Sequence, residues 1–253
     1  MQRKPTPRQK PLPPRHGLAR VISKLGIGSR TQAAAWIAEG RVRVNGRLVS
    51  DSEFPIRQGI DRIQIEGAQA KRAERIVVML NKPRGLVTTR ADEKGRDTVY
   101  SCLDDARLGW LAPVGRLDKA SEGLLLFSND PEWAAAITSP ESGPEKIYHV
   151  QVDRIPDPQL LDALVRGVPS EGEQLAARSA TLLRHGERHA WLEVVLDEGR
   201  NRQIRRLLQA FDVGVLRLVR IGIGPLRLDA LAKGAWRQLQ PVEIESLLVP
   251  AAD

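Results

Sequence analysis

Apolar positions near the start of the chain recur at helical spacing: Leu18, Val21, Ile22 and Leu25 share one face, and Gly26 and Gly28 end the run. A second, alanine-rich helix is predicted from Ser29 to Gly40. In "RVRVNGRLV" the period changes to 2, with Arg41, Arg43 and Arg47 alternating with Val42, Val44 and Leu48 around Asn45-Gly46. That pattern predicts a tight hairpin with one apolar face and one basic face free of acids. From residue 76 onward short apolar runs dominate: "IVVML", "GLLLFS", "KIYHVQV", "HAWLEVVL" and "VLRLVRIGIG". Helical candidates follow Pro131 and Pro156 and span residues 201 to 211. Strands interleaved irregularly with helices predict an α+β chain whose larger part holds a mixed or antiparallel sheet.

Composition sets the boundaries. Residues 1–15 contain five prolines and five basic residues and hardly any apolar side chain, which predicts a disordered basic arm. A small helix-helix-hairpin module follows at 16–66. The polar stretch 67–74 reads as a linker, and a larger domain occupies 75–250. Residues 1–50 carry 11 Lys and Arg against one acid, Glu39, while the remainder carries 28 basic and 30 acidic residues. A basic end on a nearly neutral body suits a polyanionic partner, because neutralising phosphates releases counterions.

Other classes are poorly supported. No apolar run approaches a membrane span, and the N-terminus has no apolar core of a secretory signal, so a cytoplasmic location is expected. The single Cys102 forms no internal disulfide, and no Cys/His cluster suggests a metal site. "GIGSRTQ" lacks the third glycine of a dinucleotide loop, and no phosphate-binding G-x-x-x-x-G-K-[ST] segment occurs.

Three segments place polar residues beside buried-looking strands. Asp118 in "GRLDKASEG" precedes a small-residue loop; Tyr148 in "KIYHV" shares a strand face with Lys146 and Val150. In "EGRNRQIRRLL", Asn201 is the expected cap of a helix with an apolar stripe opposite Arg202, Arg205 and Arg206. Each has a plain structural reading too: a surface turn paired with Arg116 or Lys119, a core aromatic, a solvated helix face.

Taken together and in order, "LNKPRGLVTT", "GRLDKASEGLLLFSNDPEW", "KIYHV" and "EGRNRQIRR" resemble the ribosomal-RNA pseudouridine synthases that carry an N-terminal S4 module. "GIGSRTQAAAWIAEGRVRVNGRLV" resembles that S4 module itself. The resemblance implies an S4-like RNA-binding domain followed by a pseudouridine synthase domain, an isomerase turning uridine into pseudouridine without metal or organic cofactor. It implies Asp118, Tyr148 and Arg205 as catalytic residues, with Arg205 the carboxylate's partner, and Arg30, Arg41, Arg43 and Arg47 as RNA contacts. Arg116, Lys119, Arg202 and Arg206 are further RNA-binding candidates. The expected partner of this monomer is ribosomal RNA or an assembling ribosomal particle, with "LVTTRADEKGRDTV" favouring the large subunit. The alternative is a non-catalytic RNA-binding or ribosome-assembly protein on the same fold.

Overall fold

A computed structural model describes residues 13–249 except Ala106 and Glu171. The chain divides into two compact units, Met1–Glu74 and Arg75–Asp253. Most of the expected N-terminal arm lies outside the described residues. Its last residue, Arg15, belongs instead to a strand, because the Arg15–Gly17 backbone pairs with Pro55–Arg57.

In the first unit the elements run β1 (Arg15–Gly17), α1 (Leu18–Lys24), α2 (Arg30–Ala38), β2 (Val42–Val44), β3 (Arg47–Leu48), β4 (Pro55–Arg57), β5 (Ile63–Ile65) and β6 (Ala68–Gln69). Ser29 starts α2 with a reciprocal cap: its hydroxyl accepts from the Gln32 amide at 3.0 Å, and the Gln32 side chain accepts from the Ser29 amide at 2.9 Å. Leu18, Ile22, Ala33, Ile37, Val42 and Ile56 are wholly buried between the helices and the β3-β2-β5-β6 sheet. At the β2–β3 turn Asn45 and Gly46 both take positive φ (50° and 83°), the backbone a two-residue hairpin needs.

The structure corrects three further expectations in this unit. Leu48 is 55% exposed and does not continue the apolar face of Val42 and Val44, because the two-residue turn pairs Val44 with Arg47 and Arg43 with Leu48, which puts Leu48 on the face of Arg43. Arg41 precedes β2 and is paired with Glu39 at 2.9 Å and with Glu66, so the basic face is not free of acids. The supposed linker begins as β6, whose Ala68 and Gln69 backbones pair with Ile65 and Gln64.

The second unit contains β7 (Val77–Lys82), β8 (Ala112–Val114), β9 (Glu122–Ser128), α3 (Pro131–Thr138), β10 (Lys146–Val152), α4 (Pro158–Arg166), β11 (Val168–Ser170), β12 (Glu173–Leu175), β13 (Ser179–His185), β14 (Ala190–Leu196), α5 (Gln203–Gln209), β15 (Val215–Ile223), β16 (Leu226–Arg227), β17 (Trp236–Gln238) and α6 (Pro241–Ser246). The main sheet runs β13-β14-β10-β15-β9-β7-β17, with β8 on β9 and β16 on β15. Its pairings are antiparallel except β15 with β9, which makes the sheet mixed.

Every residue of β7 and β9 is buried. The alternation of the strands divides them between two cores. Val78, Leu80, Leu125 and Phe127 join one cluster with α4 and α5 residues, and Val77, Met79, Leu124 and Leu126 join another with residues of α3 and α6. A strand covered on both faces reads as a continuous apolar run, and each fully buried Leu or Val there contributes about 1.5–3 kcal/mol. At the parallel junction Gly123 (φ 101°) lies so close to Arg220 that a Cβ would collide with the Arg220 carbonyl. Only glycine lets β9 and β15 approach there.

Candidate active site

A cleft of about 810 Å³ opens in the second unit, between the β8–β9 loop, the β10 and β15 strands and the segment leading into α5. Asp118, Arg116, Tyr148, Arg202 and Arg220 all line it.

Asp118 sits at the first position of a turn, its carbonyl accepting from the Ser121 amide at 2.9 Å. Its backbone is held from beneath by Lys82, the last residue of β7 and wholly buried. The Lys82 ammonium donates to the carbonyls of Ser121 (2.8 Å), Pro83 (3.1 Å) and Asp118 (3.2 Å). Burial pushes this lysine down to about 8, against the pull of Asp118 and Glu122. Sequence reasoning passed over Lys82, although a lysine two residues past the apolar run "IVVML" is the available signal.

Tyr148 lies in the middle of β10, 8% exposed, opposite Arg220 of β15 at a register shift. Lys146 lies two residues back on the same face; burial and the neighbouring Arg220 lower its pKa, and its ammonium donates to the Asp197 carbonyl at 3.2 Å. Arg220 is buried and donates from Nε to the Leu124 carbonyl at 2.7 Å, while its Nη2 has no partner. The sequence reading missed Arg220, which looks like one more charge in an alternating strand.

The third wall differs from expectation. Asn201 does not cap α5: Arg202 occupies the cap position in left-handed backbone (φ 50°) with no side-chain cap. Gln203 holds this entry instead. Its side chain donates to the Ala176 carbonyl and Glu198, both at 3.1 Å, and accepts from the Arg200 amide at 3.1 Å. The result turns Arg202 toward Asp118, with Nη1 3.8 Å from Oδ2.

Arg205 is therefore not the carboxylate's direct partner. One turn further along α5, it is half buried and its Nη1 reaches the Val215 carbonyl at 3.4 Å. Burial first and Arg202 second lower its pKa, while Asp118 acts in the opposite sense, so the two groups share a field without an ion pair. Arg206 is not among the lining residues; its guanidinium is on Glu173 (3.0 Å) and the Ser170 carbonyl (2.8 Å), which makes it a strut for the β11–β12 hairpin. Lys119 is exposed beside the cleft, and Arg116 lies at its mouth. In the first unit Arg30, Arg43 and Arg47 are exposed.

Among the described residues three carboxylates line the cleft. Glu198 accepts from Arg200 at 2.7 Å and Glu173 from Arg206 at 3.0 Å, whereas Asp118 is held only loosely, at 3.8 Å. A little-committed carboxylate set among guanidinium groups suits a polyanionic substrate such as a nucleic acid.

Comparison with known proteins narrows this class. The profile of the family described as RNA pseudouridylate synthase matches residues 76–210, and that of the S4 domain matches residues 17–60. The ribosomal large subunit pseudouridine synthase B of Bacillus subtilis (strain 168) is 35% identical over 91% of this chain and 94% of its own. The protein of that name from Pseudomonas aeruginosa is 36% identical over 96% of this chain, which spans only 64% of that longer protein. A crystal structure of a pseudouridylate synthase superposes with a TM-score of 0.65 at 31% identity, covering 92% of this chain and 99% of that one. The chain belongs to the RNA pseudouridylate synthase family and carries an S4 domain; it is an isomerase.

Proposed function

We propose that the chain converts a uridine of large-subunit ribosomal RNA to pseudouridine, with Asp118 as the reacting carboxylate. Asp118 carries this reading because it is the cleft carboxylate least engaged by hydrogen bonds. The reaction breaks the bond from the sugar to N1 of uracil, turns the base and joins the sugar to C5; C5 gives up its proton and N1 takes one up, so the product is an isomer of the substrate. A charged oxygen beside the sugar and base serves that exchange, and an enclosing pocket retains the detached base. Tyr148 offers a buried ring against the flipped base and a hydroxyl within the cleft. Arg202 orients Asp118, Arg205 adds to the positive field, and Arg116 and Lys119 meet the RNA backbone at the mouth.

The large subunit is favoured by the printed names of the relatives from Bacillus subtilis and Pseudomonas aeruginosa. Arg30, Arg43 and Arg47 of the S4 domain supply affinity for that RNA, whether free or in an assembling cytoplasmic particle. Asp118→Asn keeps the side chain's shape and removes its charge. It is expected to abolish pseudouridine formation in a large-subunit RNA transcript, followed as tritium released from C5-labelled uridine, while RNA binding measured by filter retention stays near the parent value. Turnover by this variant would overturn the role of Asp118.

A further inference from the structure

The backbone around Asp118 is held almost entirely by one short segment, residues 82–88. Lys82 takes the carbonyls of Asp118 and Ser121, and the Gly85 amide donates to the Lys119 carbonyl at 2.8 Å. Thr88 completes the set. Its hydroxyl donates to the Leu117 carbonyl at 2.7 Å and accepts from the Leu117 amide at 3.3 Å. One oxygen thus meets both polar groups of the residue immediately before Asp118, as a neighbouring strand would.

An N–H and a C=O of one residue reach a common partner only when that residue is extended. Extended backbone sends successive side chains to opposite sides. Leu117 is 6% exposed and packs in the core with Leu125 and Phe127, so its neighbour Asp118 is directed outward into the cleft. Gly115, two residues earlier, is exposed and in left-handed backbone (φ 73°), so the approach to Leu117 has little rigidity of its own. From this geometry we infer that Thr88 is a positioning residue for the reaction: its hydroxyl, through the Leu117 peptide, sets the direction of the Asp118 carboxylate.

The chemistry is specific to a hydroxyl. Valine has the same shape but neither donates nor accepts, serine does both, and only the methyl separates serine from threonine. Misplacing a reacting group by about 1 Å costs on the order of 100-fold in rate.

The inference rests on Asp118 being the reacting carboxylate, so its test carries Asp118→Asn alongside. Full-length Thr88→Val, Thr88→Ala and Thr88→Ser are compared with the parent in single-turnover tritium release from a large-subunit RNA transcript and in equilibrium binding to the same transcript. Thr88→Val and Thr88→Ala are expected to slow the single-turnover step by about 10- to 100-fold with binding within about 2-fold of the parent, and Thr88→Ser to restore the rate to within about 3-fold. Alanine removes atoms without adding any, so it carries the test if valine impairs folding. Parent rates in Thr88→Val and Thr88→Ala, or a Thr88→Ser as slow as Thr88→Val, would overturn the inference while an inactive Asp118→Asn leaves the role of Asp118 standing. Activity in Asp118→Asn would instead remove the reading on which it rests.

Discussion

Asp118 and Arg202 meet at 3.8 Å with side chains 36% and 52% exposed. In that setting their attraction is worth no more than about 1 kcal/mol. Arg202 therefore matters for orientation more than for stability, and more once RNA covers the cleft and displaces water. Arg202→Ala is expected to leave the melting temperature within about 2 °C and to lower single-turnover rates by about 10-fold, the first read by calorimetry and the second by tritium release. An unchanged rate would mean that the carboxylate needs no guanidinium beside it. The motif "NRQIRR" places Arg202 and Arg205 three residues apart, which the spacing alone makes equivalent on a helix. The left-handed backbone at Arg202, fixed by Gln203 bonding across to Ala176 and Glu198, breaks that equivalence. No local pattern encodes it.

Glu122 begins β9 at the parallel junction, and its side chain is almost completely buried. It accepts from Arg217 at 3.1 and 3.2 Å and from Lys233 at 2.5 Å. Burial is the largest single influence and pushes its pKa up, but the two cations together override it, and the net shift is downward from 4.5. A carboxylate whose folded pKa is depressed binds fewer protons in the folded than in the unfolded protein. Its contribution is thus fully present above about pH 4.5 and lost as pH falls through the lower folded value. Glu122→Gln is expected to lose that acid-side slope. Urea unfolding of both proteins from neutral to acidic pH checks this, and identical slopes would refute it.

Elements buried on both faces were legible, because unbroken apolar runs fill most of β7 (77–80) and β9 (123–127). β13 was not: as an edge strand whose residues are half-buried or exposed, it has no alternation to read. The three-residue β17 is too short for any period, and its pairing with β7 is a long-range fact.

Over the whole molecule, the basic excess of the first 50 residues makes a prediction about salt. Arg43 and Arg47 are exposed on the β2–β3 hairpin of the S4 domain. Replacing both by Glu is expected to weaken RNA binding and to reduce the slope of log affinity against log salt by about 2, roughly one for each phosphate no longer neutralised. Binding titrations at several salt concentrations measure it, and an unchanged slope would remove this hairpin from the RNA interface.

Local chemistry fixed the start of α2 at Ser29, the Asn45-Gly46 turn and the strands with two covered faces, because each depends on neighbours within a few positions. Which groups meet in the cleft depended on the tertiary structure. Lys82 is 36 residues from Asp118, and Tyr148 meets Arg220 only through the pairing of β10 with β15. Arg202 displaced Arg205 as the carboxylate's partner for the same physical reason: a contact between distant segments is decided by how the sheet registers and the helix entry is anchored, and neither is written in the motif itself.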